Sequence, residues 1–146
     1  MIRLGVIGYG GRIRGVLRVM EQMSAGTEVV AITDVRNDEI KQQMEASGKD
    51  VALYDDADEM LDKEELDGVM IGTRCSLHAQ MAVKVLARNL PLYLEKPVAT
   101  TMDDLLALRE AAEKSSSEVV VSFPLRVSPL AQVVKEIVDS GKLGTV

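Results

Sequence analysis

Apolar residues recur along the chain in short solid runs and in longer helical stripes, and the two kinds alternate. Ile2 to Ile7 is a run broken only by Arg3 and Gly5. A period of three to four follows, with Ile13, Val16, Leu17, Met20 and Met23 on one face. Glu28 to Ile32 reads as a second strand ending at Thr33-Asp34, and residues 38–47 as a short helix through Ile40 and Met44, stopped by Gly48. Val51 to Tyr54 is a third strand and Asp55 to Leu61 a short acidic helix. Gly68 to Ile71 is a fourth strand, Ser76 to Asn89 a helix, and Leu92 to Leu94 a fifth strand. Thr101 reads as the cap of a helix to about Lys114, with Asp103 and Asp104 in its first turn, where negative charge suits the dipole. Glu118 to Ser122 is a sixth strand. Leu130, Val133, Val134, Ile137 and Val138 then form an amphipathic stripe closed by Gly141.

Strands that are β-branched runs, each followed by a helix, predict an α/β fold: a doubly wound parallel sheet with helices on both faces. The 146 residues suffice for one domain with a full core, and 47% hydrophobic content with a mean hydropathy of +0.07 is that of a globular protein. The net charge of -6 argues against a nucleic-acid partner, which needs a basic face. No run approaches the roughly 18 apolar residues of a membrane span. The start MIRLGVIG is strand-like rather than a signal peptide, so the cytoplasm is the expected compartment. One cysteine, Cys75, rules out an internal disulfide, and one cysteine with one histidine makes no structural zinc site, so no metal is expected. Cys75 itself reads as a passive loop residue or as a reactive thiol without a supporting motif.

The segment GVIGYGGRIRG, Gly5 to Gly15, carries the first chemical signal. Gly8 and Gly10 stand between strand one and helix one. In a dinucleotide-binding turn the first glycine permits the tight turn, and the second lets backbone approach a pyrophosphate drawn to the helix N-terminus. The third glycine of G-x-G-x-x-G falls at Ile13, a departure for which Gly11 is the expected compensation. Asp34 lies 24 positions beyond Gly10, at the end of strand two, placed to accept from an adenosine ribose diol. Arg36 can instead hold a 2′-phosphate, so NAD is favoured and NADP stays open. Arg12 and Arg14 read either as pyrophosphate neutralisers or as solvated helix arginines. Tyr9, Gly11, Arg12, Ile13 and Val35 complete the expected cofactor-binding surface.

LYLEKPVA, Leu92 to Ala99, ends a strand in Glu95, Lys96 and Pro97. Ligands of doubly wound sheets bind at carboxyl strand ends, where Asp34, Thr73 and this tripeptide all fall. Lys96 can hold a substrate hydroxyl or move its proton, Glu95 can pair with it, and Pro97 stiffens the turn. The alternative is a surface salt bridge in a βα loop.

Together, Glu95-Lys96-Pro97, the GVIGYGG loop and TRCSLH resemble the glucose–fructose oxidoreductase and inositol dehydrogenase family, Gfo/Idh/MocA, over essentially the whole chain. The resemblance implies a Rossmann fold over residues 1–124 that binds NAD(P), with residues 125–146 as helix and junction toward a second α/β domain. That domain, expected outside this chain, would carry substrate contacts, the oligomer interface and further catalytic residues, an aspartate and a histidine a few positions apart. The implied activity is an NAD(P)-dependent dehydrogenase moving hydride between a nicotinamide and a sugar, cyclitol or similar polyol, as a homo-oligomer when full length. By resemblance Lys96 is catalytic and lies by the nicotinamide with Glu95. Thr73 lines the cofactor cleft, His78 lies near the cofactor or is a helix-start histidine with a satisfied hydrogen bond, and Arg126, near the domain junction, is a substrate or interdomain contact or an exposed loop residue. Arg74 stands where the family more often has proline, which bears on the shape of the cofactor loop. A non-catalytic NAD-binding or sensing module is the rival reading, and a Rossmann enzyme of another pathway a third.

Overall fold

Six parallel strands are the frame of the computed structural model, which describes residues 1–145. They are β1 (Ile2–Ile7), β2 (Thr27–Thr33), β3 (Ala52–Tyr54), β4 (Gly68–Ile71), β5 (Leu92–Leu94) and β6 (Val119–Val121). Their order is β3-β2-β1-β4-β5-β6. The chain winds outward from β1 to β3, returns to the other side of β1, and winds outward again. This reversal makes β1 and β4 neighbours and opens a crevice at their carboxyl ends.

Register brings those ends level. Tyr54 pairs with Thr33, Thr33 with Ile7, Ile7 with Ile71, Ile71 with Leu94 and Leu94 with Val121. The next residue of each strand therefore lies along one edge: Asp55, Asp34, Gly8, Gly72, Glu95 and Ser122. Parallel strands need long crossovers, here the helices α1 (Gly11–Gln22), α2 (Asn37–Ser47), α3 (Ala57–Lys63), α4 (His78–Leu86) and α5 (Met102–Lys114).

The helices divide the core into two layers. Leu4, Val6, Ile13, Ile32, Ile40, Met44 and Met70 pack under α1 and α2. Ile7, Ala31, Met60, Val69, Ile71, Val85, Leu86 and Leu94 pack under α3, α4 and α5. Caps set the helix starts. The Thr101 hydroxyl accepts from the Asp104 amide at 3.1 Å, as its sequence position predicts, and the Asp56 carboxylate accepts from the Glu59 amide at 3.0 Å. That second cap starts the acidic helix at Ala57 and lets it run to Lys63, two residues beyond the expected end. The helix expected from Ser76 opens instead as a short 3-10 turn, Cys75–Leu77, before α4. Met23 lies just past α1 and is exposed, so it is no part of the core stripe expected for it.

The sheet ends in two edge strands, β3 and β6. On β6, Val120 is 61% exposed. A final helix, α6 (Pro129–Asp139), is capped by the Ser128 hydroxyl, which accepts from the Ala131 amide. It forms where the apolar stripe predicts, yet buries none of its residues, and Leu130, Val133, Val134 and Ile137 stay exposed. Of the expected junction segment, position 146 lies outside the described residues.

Candidate dinucleotide site at the β1–β4 crevice

The turn after β1 is held by backbone. The Gly8 amide donates to Thr33 O at 2.8 Å and the Gly72 amide to Ile7 O at 2.9 Å. Gly8 has φ +86, and a Cβ there would lie 2.6 Å from the Thr73 nitrogen and 2.7 Å from the Gly72 carbonyl carbon. Any side chain would be both strained and driven into backbone. Gly10 caps α1 without a side chain, and the first intrahelical bond is Arg14 N to Gly10 O at 3.0 Å. The amides of Gly11, Arg12 and Ile13 therefore have no acceptor within the helix, and they point out at its positive end. Such a terminus fits a pyrophosphate.

Ile13 resolves the departure at the third glycine. Its side chain is fully buried, and a Cβ at Gly72 would meet Ile13 Cγ1 at 2.2 Å. The helix supplies the bulk and the end of β4 supplies the glycine. Close packing is kept with the partners exchanged, and Gly72, not Gly11, is the compensation. Gly11 faces open space. As a cofactor contact Ile13 has only its backbone to offer.

Asp34 is tied to this turn. Its Oδ2 accepts from the Tyr9 amide at 2.8 Å and from Arg36 Nη2 at 2.9 Å. Its Oδ1 accepts from the Arg36 amide and Nε, both at 3.0 Å. The carboxylate is only 5% exposed, and its four acceptor positions are all taken. Burial raises its pKa, but the bonds from Arg36 and Tyr9 and the Arg36 charge outweigh burial and hold it below its ordinary value. Val35 points fully into solvent beside it.

Glu95 does not pair with Lys96. Side chains alternate across a strand and its extension, so Glu95 turns inward and Lys96 outward. The Glu95 Oε1 accepts from Arg12 Nε at 2.9 Å and from the Tyr93 hydroxyl at 3.0 Å. Ser122 joins through its hydroxyl, 2.9 Å from the Tyr93 hydroxyl and 3.4 Å from Arg12 Nη2. The network ties the first turn of α1 to the ends of β5 and β6, and it leaves Glu95 8% exposed. Burial raises the Glu95 pKa, but the bond and charge of Arg12 and the nearby Ser122 and Tyr93 hydroxyls outweigh it and hold the carboxyl below its ordinary value.

Lys96 is exposed and makes no ion pair among the described residues. His78 is buried behind it rather than lining the crevice. Its Nδ1 lies 2.7 Å from Pro97 O and its Nε2 3.2 Å from Thr73 O, and the N–H serves one or the other by tautomer. The ring thus ties the loop after β4 to the turn after β5. Thr73 lies at the crevice, its hydroxyl donating to Arg74 O, and Arg74 is exposed at the start of the 3-10 turn. Arg14 reaches Gln43, and Arg126 lies over the Phe123 ring at 5.4 Å. Cys75 is exposed.

Tyr93, Ser122 and Gly72 are site residues that the sequence reading did not single out. Only Gly72 had a signal, a glycine directly after a buried strand. A groove of about 660 Å³ runs from Tyr9 and Arg14 along α1, α2 and β2, past Arg18, Glu21, Thr27 and Lys49. Among the described residues no cluster of three His, Cys, Asp or Glu could hold a metal, and no helix is long and apolar enough to cross a membrane.

The two carboxylates give the fold a pH signature. Each has a pKa lowered in the folded chain from ordinary values of 3.8 for Asp34 and 4.5 for Glu95. Their contribution to stability is fully present above the unfolded values and is lost as pH falls through the lowered folded ones. Thermal melts should therefore show Tm level above about pH 5 and falling below it. Glu95→Gln should flatten that acid limb, and an unchanged limb would mean that the Arg12–Glu95 pair contributes nothing.

Strand order, glycine turn and strand-end acid define a dinucleotide-binding Rossmann domain. Residues 2–123 match the family described as an oxidoreductase family with an NAD-binding Rossmann fold, Gfo/Idh/MocA, and the chain belongs to it. Inositol 2-dehydrogenase from Ralstonia nicotianae is 24% identical over 144 residues, 98% of this chain and 43% of the relative. Inositol 2-dehydrogenase 3 from Saccharopolyspora erythraea is 28% identical over 145 residues, 99% of this chain and 42% of the relative. The chain thus spans less than half the length of the curated relatives it matches. Among solved structures, myo-inositol dehydrogenase from Lactobacillus casei in complex with NAD(H) and myo-inositol superposes with a TM-score of 0.82 at 25% identity, over 99% of this chain and 43% of that one. The WlbA dehydrogenase from Bordetella pertussis in complex with NADH and UDP-GlcNAcA shares the fold, with a TM-score of 0.83 at 24% identity, over 98% and 43%.

Proposed function

We propose that this chain is the cofactor-binding part of a dehydrogenase that moves hydride between NAD and a sugar, cyclitol or similar polyol. The observation that carries the reading is the single edge on which Gly8, the free amides of α1, Asp34 and Lys96 converge, in a chain of an NAD-binding family. The amides of Gly11, Arg12 and Ile13 hold the pyrophosphate, and Arg12, fixed by Glu95, offsets its charge. Asp34 accepts from the adenosine ribose. The nicotinamide, when bound, supplies the hydride acceptor. Lys96, unpaired at the end of β5, then holds the substrate hydroxyl and stabilises its developing alkoxide. The polyol class is taken from the inositol dehydrogenase relatives, whose other catalytic groups would lie in the part of the protein this chain does not span. Assembly as a homo-oligomer belongs to that same part.

Fluorescence titration with NADH tests the reading. Saturable binding is expected, weakened at least tenfold in Asp34→Ala and nearly unchanged in Lys96→Ala. In a full-length protein carrying this domain, Lys96→Ala should lower kcat by about 10²–10⁴-fold with little change in KM for NAD. A Lys96→Ala protein with normal turnover would favour the non-catalytic module.

A further inference from the structure

The stretch between the end of β5 and the cap of α5, residues 96–100, is held by a single hydrogen bond. Before it, the Glu95 amide donates to Ile71 O at 3.1 Å, and after it the Thr101 hydroxyl caps α5. Within it, among the described residues, only Pro97 O is bonded, at 2.7 Å from His78 Nδ1. Val98 packs on the core, but Lys96 is exposed and makes no ion pair, so nothing at the tip of its side chain fixes where it stands. His78 is 2% exposed and opens α4, whose Ala79, Ala82, Val85 and Leu86 are buried, so the ring is anchored on a packed helix. Its two nitrogens meet carbonyls at unequal distances, 2.7 Å to Pro97 O and 3.2 Å to Thr73 O. A nitrogen lone pair facing a carbonyl oxygen is repelled, and the shorter separation is that of an N–H donor. The geometry therefore marks Nδ1 as the nitrogen that carries the proton.

We propose that His78 is a positioning residue for Lys96: its Nδ1–H, donated to Pro97 O, pins the turn that carries the lysine to the start of α4. Lys96 is then held from both sides, by the Glu95 amide on Ile71 O and by the pin one residue beyond it. A side chain with no partner of its own takes its place from its backbone, so the pin sets where the ammonium meets a substrate hydroxyl. A misplacement of about 1 Å at such a group can cost on the order of 10²-fold in rate. The Thr73 end matters less, because the loop after β4 is also held by the Gly72 amide on Ile7 O. The inference rests on the proposed place of Lys96 beside the nicotinamide.

Two variants separate the two contacts. The side-chain nitrogen of asparagine falls where Nδ1 stands, and that of glutamine where Nε2 stands. His78→Asn therefore keeps the bond to Pro97 O, while His78→Gln keeps only the contact with Thr73 O. Thermal melts of both verify folding. Acetylation of Lys96, followed by peptide mass spectrometry with Lys135 as the internal control, reads the place of the lysine. Bound NADH should slow the reaction at least about threefold in the parent and in His78→Asn but not in His78→Gln, with NADH affinity within about threefold in all three. The 15N resonances of His78 in the unliganded parent test the pin without a variant: a proton on Nδ1 is expected, and a proton on Nε2 alone overturns it. Equal protection in His78→Gln overturns the pin and leaves the dinucleotide site standing. NADH that binds the parent without shielding Lys96 overturns the place of the lysine, and the role of the pin with it. A parent that does not bind NADH removes the dinucleotide reading itself.

Discussion

Gly8→Val is expected to abolish NADH binding and to destabilise the chain by about 2–4 kcal/mol, combining a strained left-handed residue with overpacking. Both effects have one origin. At φ +86 a β-branched residue is a steric outlier, and its Cβ would press on the backbone of Gly72 and Thr73 at 2.6–2.8 Å. Backbone at the end of a central strand cannot move aside as a side-chain tip can. The turn must open, which carries the amides of Gly11, Arg12 and Ile13 away from the crevice. Tyr9 N would leave Asp34 with it, so the pyrophosphate and ribose seats fail together. Urea unfolding with an NADH titration reads both. A variant of parental stability would mean that the turn tolerates a side chain and that Gly8 is not structurally required.

The second large effect lies one layer below. Ile13→Ala should cost about 2–5 kcal/mol, the range for truncating a fully buried aliphatic side chain. Gly72→Ala should cost about 1–3 kcal/mol by overpacking, because its Cβ would sit 2.2 Å from Ile13 Cγ1. The double variant should be more stable than the sum of the two losses allows, by about 1 kcal/mol or more, since each substitution removes the other's cause. Additive losses in a double-mutant cycle would show that the two residues do not share a packing site. Favourable coupling would establish that this dinucleotide turn keeps its close helix–strand contact with glycine on the strand instead of on the helix.

Much of this architecture was legible in the amino-acid pattern. Solid apolar runs located all six strands, because parallel strands buried between two helical layers leave little choice of residue, while the helices were located by stripes, caps and acidic turns. Gly8, Asp34 and Lys96 were readable as strand-end positions, and they lie along one edge of the sheet. Pairing was not readable. Glu95 and Lys96 are adjacent and opposite in charge, yet the strand turns them to opposite faces, and Glu95 takes a partner 83 positions earlier, Arg12. His78 read either as a cofactor neighbour or as a helix-start histidine with a satisfied hydrogen bond; the structure buries it between two carbonyls, partners that no side-chain pattern reveals. The saturation of Asp34 by Arg36 was equally invisible: two residues apart, they read as rival cofactor contacts rather than as a pair. The stripe from Leu130 to Val138 reported an amphipathic helix correctly, but periodicity says nothing of what covers the apolar face, and in this structure nothing does.

Amide resonances followed by NMR during an NADH titration test the central claim most directly. Shifts concentrated at Gly10 to Ile13, Asp34 to Arg36, Thr73 and Lys96 are expected, with the residues along α1, α2 and β2 at Arg18, Thr27 and Lys49 unmoved. Shifts confined to that second groove, with Gly10 to Ile13 silent, would contradict the seating of the dinucleotide at the crevice.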